Sequence, residues 1–371
     1  MDEREAEAAK RPLMAGWVTQ GPEGKAFEEE FAAFVGAQYA CAVSSGTTAL
    51  HLALDAVGVV PGDEVITVSH SYIATANAVL YCGATPVFAD IDPITFNMSS
   101  ASVESLISPR TKAILCAHQI GMPCDLPGLL DLAHRHNIAL IEDAACAAGS
   151  EIEIDGEWQR IGRPHGDIAC FSFHPRKVLT TGDGGMITTN KADLDAVMRL
   201  KRSHGMNIPA AQRHGKAEVV FEEYPVVGFN YRMSDIQAAV GRVQLERLPD
   251  FVARRRMLAL RYDEALRGID MVTAPVEPAG VRSNWQSYCV RLNSTLDQKA
   301  VMQAMLDRGV STKRGIMCAH REPAYDSVAW RSEGLSESEN AQDQGLLLPL
   351  YHQLSEAEQD QVVAALAEVV T

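Results

Sequence analysis

Seven short runs of β-forming residues alternate with segments of helical periodicity along the first half of the chain. Most of the runs are nearly continuous in apolar character, as expected of strands that are buried on both faces of a sheet. The intervening segments carry apolar residues at helical spacing and end near Gly or Asn, which is typical of crossover helices. The predicted strands cover residues 38–43, 63–67, 85–89, 112–116, 138–142, 167–172 and 185–189. Repeated β-α-β units predict an α/β fold with a mostly parallel, seven-stranded sheet flanked by helices.

The sequence pattern changes at about residue 234. Residues 234–268 are typical of one long helix, and Pro249 is expected to bend it because proline lacks the backbone donor of a helix interior. The features predicted beyond it are a strand at 286–292, amphipathic helices at 297–309 and 355–369, and a polar surface segment at 330–345. We therefore predict a large domain over residues 1–240 and a smaller α+β domain over residues 241–371.

Composition excludes several classes of function. A formal net charge of −15 repels phosphate backbones and anionic lipid, so neither nucleic acid nor membrane is an expected partner. No run approaches the roughly 18 apolar residues of a membrane span, and the opening residues are charged where a secretory signal would be apolar. The eight cysteines form no CxxC pair, which argues against a zinc or disulfide framework, so no metal is expected. These features predict a cytoplasmic protein.

A glycine turn follows the first predicted strand and opens directly into a helix, in the segment SSGTTAL that begins at Ser44. The free backbone N–H groups and hydroxyls of such a turn form a seat for an anion. An ordinary helix cap by Ser45 or Thr47 explains the segment at least as well when it is taken alone.

Two side chains with chemical potential follow later strands. Asp143 ends the run IALIED, where a carboxylate points into the crevice at the strand ends, and it could be a metal ligand, a helix cap or a general base. Lys177 lies in a tight loop rich in Pro, Gly and hydroxyl residues, where loss of water is expected to lower the lysine pKa and make it a nucleophile. A surface lysine in a turn is commoner, but Ser172 upstream and Asp143 on the neighbouring strand favour the reactive lysine.

An anion seat, a carboxylate and a reactive lysine together are what pyridoxal phosphate requires of a protein. The motifs that match one known family are TQGPEGKAFEEEFAAFVG, SSGTTALHLAL, SYIATANAV, CGATPVFADID, GMPCDL, EDAACA, FSFHPRKVLTTGDGG, RSHG, GFNYRMSDIQAAVGRVQL and HREPAY. Through them the chain resembles the DegT/DnrJ/EryC1/StrS family of sugar aminotransferases. The resemblance implies the fold of the fold-type-I pyridoxal phosphate transferases.

The resemblance also implies roles for individual residues. Lys177 would form the internal aldimine and move the proton between the substrate carbon and C4′ of the cofactor, while Asp143 would keep the pyridine nitrogen protonated. Tyr72 would stack on the ring, although a tyrosine in an apolar run is by default core filler. The residues implied to hold the phosphate are Gly46, Thr47, Ser172 and, from across a dimer interface, Asn230.

Several positions depart from the family pattern or carry looser implications. Cys146 stands where the family usually has Gln or His near the 3′ oxygen of the cofactor, and a thiol is a weak hydrogen-bonding group. Gln119 and Ile120 stand where many members have Leu and Tyr. His174 is interpreted as structural support or as a direct participant. The residues assigned to the mouth of the substrate site are Arg232, which could bind the donor carboxylate or form an interface salt bridge, and His320.

The activity implied by the resemblance is transamination in two half-reactions. Glutamate or glutamine would convert the cofactor to pyridoxamine phosphate, which would then aminate a keto group on a nucleotide-linked sugar. The resemblance also implies a homodimer with composite sites. We expect the side chains that line the acceptor pocket to come from variable loops, notably residues 150–166 and 206–222. A dehydratase branch of the family has histidine in place of Lys177. A cyclitol or aminohydroxybenzoate-type synthase, and a regulatory protein that binds the cofactor without turnover, stay open as alternatives.

Overall fold

The structure is a computed structural model that describes residues 1–208 and 221–371. Its strands are Tyr39–Val43 (β1), Glu64–Val68 (β2), Thr85–Ala89 (β3), Thr111–Ala117 (β4), Ala139–Asp143 (β5), Glu151–Ile154 (β6), Glu157–Arg160 (β7), Ile168–Ser172 (β8), Gly185–Thr189 (β9), Val272–Thr273 (β10), Val281–Arg282 (β11), Tyr288–Leu292 (β12), Lys313–Arg314 (β13), Arg331–Ser332 (β14) and Gly345–Leu348 (β15). Its helices are Glu3–Ala15 (α1), Pro22–Val35 (α2), Gly46–Ala56 (α3), Ala74–Tyr81 (α4), Ser100–Leu106 (α5), Leu126–His136 (α6), Ala192–Lys201 (α7), Asp235–Ala265 (α8), Gln298–Asp307 (α9), Ser336–Gln344 (α10) and Glu356–Val370 (α11).

The main sheet has eight strands in the order β1-β9-β8-β5-β4-β2-β3-β14. All neighbouring pairs are parallel except those of β9, which runs antiparallel to both β1 and β8. The seven predicted strands are confirmed with bounds within one residue, and so is the mostly parallel sheet. Because β1, β8 and β5 point the same way, their carboxyl ends meet at one edge of the sheet.

The eighth strand corrects the prediction for residues 330–345. That segment is not only polar surface, because Arg331 and Ser332 pair in parallel with β3 and the next residues form α10, in which Ser338 and Ala341 are buried. Asp90 accepts a hydrogen bond from the Ser338 hydroxyl at 2.7 Å, which holds the segment against the sheet. A two-residue strand is too short to show a hydrophobic period, so the sequence did not reveal it.

An aromatic cluster fixes β8 against α2. The rings of Phe31 and Phe171 lie 5.0 Å apart, and those of Phe27 and Phe173 lie 5.4 Å apart. Phe171 and Phe173 are fully buried, and because side chains alternate along a strand, Ser172 between them points to the opposite face. This packing fixes the end of β8 and the loop that follows it.

The long helix α8 begins at the predicted place. The hydroxyl of Ser234 accepts a hydrogen bond from the backbone N–H of Gln237 at 3.3 Å, and the Gln237 side chain accepts one from the N–H of Ser234 at 3.0 Å. This reciprocal cap satisfies two N–H groups that a helix start leaves without partners. The helix continues through Pro249, and a bend there stays a prediction.

A second sheet lies in the C-terminal part of the chain, with the order β10-β12-β15-β13 and antiparallel pairing throughout. Tyr262 of α8 and Tyr288 of β12 are fully buried in the core beside it. The predicted strand at 286–292 and both predicted amphipathic helices are confirmed. A domain boundary at residue 240 stays a prediction, and α8 runs across it.

Residues 150–166, expected to be a loop, contain the hairpin β6–β7, which β11 extends to a small antiparallel sheet. The hairpin was missed because each of its strands has only four residues, so the alternation of Glu and Ile in β6 is too short to identify a strand. In the second expected loop, 206–222, residues 209–220 lie outside the described residues. No helix in the described parts of the chain is both long and apolar enough to cross a membrane.

Candidate active site

Asp143 is the last residue of β5, and its side chain is buried at the edge where the parallel strands end. Its Oδ2 accepts a hydrogen bond from the Thr75 hydroxyl at 2.8 Å, and its Oδ1 accepts one from the backbone N–H of Ala145 at 3.1 Å. The hydroxyl of Ser71 lies 2.8 Å from that of Thr75 and extends the chain of contacts. These hydrogen bonds fix the orientation of the carboxylate, which can then pair with a cationic group bound at the sheet edge.

Lys177 lies in the loop between β8 and β9, which hydrogen bonds close tightly. The N–H of Phe173 donates to the carbonyl of Gly184 at 2.8 Å, and the N–H of Thr181 donates to the carbonyl of Phe173 at 3.0 Å. The half-buried lysine side chain turns inward, and its Nζ donates a hydrogen bond to the sulfur of Cys146 at 3.0 Å. The alternative of a lysine in an exposed turn is therefore wrong.

The expected direction of the lysine pKa is also wrong for the chain without a bound cofactor. Burial lowers the pKa of Lys177, but the charges and the hydrogen bond of nearby groups outweigh it, so the net pKa lies above the ordinary lysine value. Cys146 contributes most to that rise, followed by Asp143 and Tyr72. The sequence suggested the loss of water but could not show the three groups that surround the amine.

The turn after β1 combines a helix cap with free donors. Ser45 caps α3, since its hydroxyl accepts a hydrogen bond from the N–H of Thr48 at 3.1 Å, so the alternative of an ordinary cap is correct for this residue. Within the described residues, no hydrogen bond uses the N–H groups of Gly46 and Thr47 or the Thr47 hydroxyl. Both functions coexist, because a single cap leaves other first-turn N–H groups available to an anion.

Gly46 lies directly against β8. A Cβ at this position would come within 2.6 Å of the Cβ of Ser172, which is closer than carbon atoms approach. Only glycine therefore lets the start of α3 approach the Ser172 hydroxyl. The hydroxyl of Ser172 and the first-turn N–H groups of α3 form one anion cradle at the sheet edge.

Tyr72 is 69% exposed, so its interpretation as core filler is wrong. It follows β2, and it is one of the groups that raise the pKa of Lys177, so it lies near the lysine. An exposed aromatic ring beside a buried amine and a buried carboxylate provides a flat surface for a planar ring.

The histidines assigned to the substrate both hold structure. Nδ1 of His174 accepts the N–H of Arg176 at 3.2 Å, and the carbonyl of His174 accepts the N–H of Lys177 at 2.8 Å, which favours the interpretation as structural support. Both ring nitrogens of His320 have partners, with Nδ1 2.6 Å from the Ser69 hydroxyl and Nε2 3.0 Å from Glu339. These contacts hold His320 against the end of β2, and its place at the mouth of the substrate site stays a prediction.

The remaining assigned residues lie on the segment before α8. Arg232 pairs with Val43 through the backbone, and its half-buried side chain makes no ion pair with the described residues. Asn230 pairs with Ser203 through the backbone, and its side chain is exposed and makes no hydrogen bond to the described residues of its own chain. The N–H of Ser44 donates to the carbonyl of Tyr231 at 2.8 Å, so the segment that carries Asn230 passes beside the turn of the anion cradle. Among the described residues, no hydrogen bond joins the Asn230 side chain to that cradle.

Gln119 ties the loop after β4 to the segment that carries Tyr72. Its N–H donates to Oδ1 of Asn97 at 2.9 Å, and its buried side-chain amide donates to the carbonyl of His70. Ile120 has a positive φ of 49°, which is a strained conformation for a β-branched residue. This departure from the family pattern therefore has a structural role.

Thr75 and Asn284 are site residues that the sequence analysis missed. Asn284 is fully buried, and its side-chain amide donates to the carbonyls of Cys146 and Ala148 at 2.8 and 2.9 Å. Thr75 lies within the quoted motif SYIATANAV, so its hydroxyl could have been considered there. Asn284 carried no such signal, because its contact with Cys146 spans 138 positions.

These groups fit a planar molecule with an anionic arm. The cradle at Gly46 and Ser172 would bind the anion, Asp143 would face a protonated ring nitrogen, and Lys177 is an amine within reach of the same edge. The residues present therefore fit pyridoxal phosphate, whose phosphate, ring nitrogen and aldehyde need these three groups.

Comparison with known proteins matches nearly the whole chain to one family of aminotransferases. The sequence model of the DegT/DnrJ/EryC1/StrS aminotransferase family matches residues 1–367. The chain is 43% identical to GDP-perosamine synthase of Caulobacter vibrioides over 349 residues, which are 93% of this chain and 89% of that protein. It is 36% identical to the spore coat polysaccharide biosynthesis protein SpsC of Bacillus subtilis over 371 residues, 99% of this chain and 94% of that protein.

Two solved structures show the similarity of fold. The aminotransferase TlmJ of Streptoalloteichus hindustanus superimposes with a TM-score of 0.90 and 35% identity, covering 100% of this chain and 96% of that one. DesV of S. venezuelae, in complex with a ketimine intermediate, superimposes with a TM-score of 0.89 and 34% identity, covering 99% and 94% of the two chains.

Proposed function

The chain belongs to the DegT/DnrJ/EryC1/StrS aminotransferase family and uses pyridoxal phosphate, and we propose that it transfers an amino group to a keto group of a nucleotide-linked sugar. The observation that carries this proposal is the convergence of Lys177, Asp143 and the Gly46–Ser172 cradle at one sheet edge. Three independent segments of the chain meet there, each with the group that one part of the cofactor requires.

Pyridoxal phosphate supplies an aldehyde for amines and a ring that accepts the electrons released when a proton leaves the adjacent carbon. The buried carboxylate of Asp143, whose two oxygens are oriented by Thr75 and Ala145, would keep a proton on the ring nitrogen. Lys177 would hold the cofactor through its amine, and the free amine would move a proton at the substrate carbon. The N–H groups of Gly46 and Thr47 would hold the phosphate.

The amino acceptor is proposed from the relatives. GDP-perosamine synthase, at 43% identity, has a name that specifies a GDP-linked sugar, and we propose an acceptor of that chemical class. Glutamate is the proposed amino donor, with glutamine as the second candidate. A synthase acting on a cyclitol keeps the same lysine and is distinguished by the acceptor assay below. Lys177 argues against the dehydratase branch.

We propose that the active unit is a homodimer with sites completed across the interface. Asn230, implied by the resemblance to bind phosphate, is exposed and has no hydrogen bond to the described residues of its own chain. Phe221 and Val227, on the same segment, are 84% and 88% exposed, which leaves apolar area for a second copy to cover. A cytoplasmic location stays a prediction from composition.

The test uses the purified protein with its yellow cofactor. We expect glutamate to bleach the absorbance of the lysine-bound cofactor, and a nucleotide-linked keto-sugar to restore it with formation of the amino-sugar. A panel of nucleotide-linked keto-sugars and a cyclitol ketone then identifies the acceptor by mass spectrometry. An absorbance that neither glutamate nor glutamine changes would support a regulatory protein instead.

A further inference from the structure

The amine of Lys177 has one hydrogen-bond acceptor among the residues that the structure describes, the sulfur of Cys146. Nζ lies 3.0 Å from that sulfur, and both side chains are half-buried. Asp143 acts on the amine through its charge, but its oxygens accept hydrogen bonds from Thr75 and Ala145 instead. The contact therefore pairs an amine with the one sulfur that directly faces it.

The backbone around Cys146 is held in place. The buried amide of Asn284 donates to the carbonyls of Cys146 and Ala148, and the N–H of Asn284 donates to the Ser150 hydroxyl at 3.0 Å. Gly121 also packs closely against this backbone, because a Cβ added at Gly121 would lie 3.2 Å from the carbonyl oxygen of Cys146. Such support keeps the sulfur at hydrogen-bond distance from the lysine.

The charged and titratable groups around Lys177 come from several elements. Cys146 and Asp143 face it from the end of β5 and the turn after it, and Tyr72 faces it from the segment after β2. Burial lowers the pKa of Lys313 of β13, and the charges of Arg176, Arg314 and Lys177 lower it further, so Lys313 also lies near the amine. Burial lowers the pKa of Lys177, but the groups that raise it prevail, and Cys146 contributes most to that rise.

We propose that Cys146 keeps the amine of Lys177 protonated while the lysine is not bonded to the cofactor, and so sets the acidity range in which the chain takes up its cofactor. The proposal rests on the function proposed above. An ammonium cannot attack an aldehyde, so uptake requires that Lys–NH₃⁺ first becomes Lys–NH₂ by releasing one proton to water. Cys146 is then a positioning residue that acts through Lys177.

The experiment mixes the full-length chain, freed of cofactor, with pyridoxal phosphate and follows the growth of yellow absorbance from about pH 7 to about pH 11.5, a range that extends beyond the ordinary lysine pKa. The variants are Cys146→Ala, which removes the sulfur, and Cys146→Ser, which keeps a polar group that does not ionise in this range. Cys82→Ala, at another half-buried free cysteine, is the matched control. We expect both Cys146 variants to shift the midpoint of uptake to lower pH and to react several-fold faster near neutral pH, with Cys82→Ala unchanged.

The outcomes separate this inference from the proposed function. A wild-type chain that takes up no cofactor at Lys177 at any pH would overturn both. Uptake by the wild type with an unchanged or higher midpoint in both Cys146 variants would overturn the role of Cys146 and leave the function intact. Circular dichroism checks folding, and Cys146→Ser, which is similar in size to cysteine, decides the matter where Cys146→Ala is unfolded.

Discussion

The hydroxyl of Thr75 donates a hydrogen bond to Oδ2 of Asp143 at 2.8 Å, across a sequence separation of 68 residues. Thr75 is almost fully buried, and its own oxygen lies 2.8 Å from the Ser71 hydroxyl. The contact joins the start of α4 to the end of β5. It fixes the carboxylate that is proposed to face the cofactor ring.

The first prediction concerns that hydrogen bond. Thr75→Val keeps the shape of the side chain but removes the donor, so it should destabilise the fold by about 1–3 kcal/mol, because a buried acceptor loses its partner. It should also lower kcat, since Asp143 is less well oriented. Urea unfolding and steady-state kinetics measure the two effects. Thr75→Ser keeps the hydroxyl and should therefore retain most of the stability and most of kcat. A Thr75→Val variant equal to the wild type in both quantities would show that the contact has no role.

The second prediction concerns the contact between Gly46 and Ser172. In Gly46→Ala the added carbon would lie 2.6 Å from the Ser172 Cβ, so α3 must move away from the cradle. Such overpacking costs about 1–3 kcal/mol, and the same loss in phosphate binding would weaken cofactor affinity roughly 10- to 100-fold. Ser172→Ala is the comparison, because it removes a hydroxyl without a clash and should weaken affinity less. Equal affinities of Gly46→Ala and the wild type would contradict the proposed cradle.

The third prediction concerns pH and a buried ion pair away from the site. Burial raises the pKa of Glu28, but Arg202 and Arg199 lower it more, so the net pKa is below the ordinary value. A carboxyl with a depressed folded-state pKa stabilises the fold above its unfolded pKa of about 4.3 and loses that contribution as pH falls through the folded value. We therefore expect the free energy of unfolding of the wild type to fall below about pH 4.3.

Substitution isolates the contribution of this pair. Glu28→Gln leaves Arg202 buried without its charge partner and should cost about 3–5 kcal/mol at neutral pH, with a difference from the wild type that shrinks in acid. The neighbouring Glu29→Gln breaks only an exposed pair with Lys25 and should change little. Urea unfolding at neutral and acidic pH measures both variants. A Glu28→Gln variant as stable as Glu29→Gln would contradict the prediction.

The fourth prediction tests the composite site. Lys177→Ala and Asn230→Ala should each be inactive or nearly so as pure proteins. An equal mixture should recover up to about a quarter of the wild-type activity, because half of the dimers are mixed and each mixed dimer holds one site with both residues. Activity after denaturation and joint refolding is the measurement. A mixture that stays inactive while mixed dimers are seen by mass spectrometry would place Asn230 in the site of its own chain.

Local sequence patterns predicted most of the fold but fewer of the contacts within the site. The seven main strands were predicted because buried parallel strands are nearly continuous apolar runs. β14 has two residues and the strands β6 and β7 have four each, which is too few to establish a period. Lys177, Asp143, Gly46 and Ser172 lie in motifs at strand ends, so their proximity could be expected. The partners of Asp143 and Cys146 could not, because Thr75 and Asn284 reach them across distant segments.

The raised pKa of Lys177 shows the same limit. The loop sequence indicated a lysine with little water around it, which by itself lowers a lysine pKa. Cys146 and Tyr72 raise the pKa instead. Cys146 lies 31 positions from Lys177 along the chain, and Tyr72 follows a different strand, so their effect depends on distances that a sequence does not contain.

The covalent bond between Lys177 and the cofactor is the central claim, and peptide mapping tests it most directly. The yellow protein is reduced with borohydride, digested and analysed by mass spectrometry, with Lys177→Ala treated in parallel. We predict one peptide, containing residue 177, that carries the reduced pyridoxyl phosphate group, and no labelled peptide from the variant. Labelling of another lysine in the wild type, with residue 177 unmodified, would contradict the account.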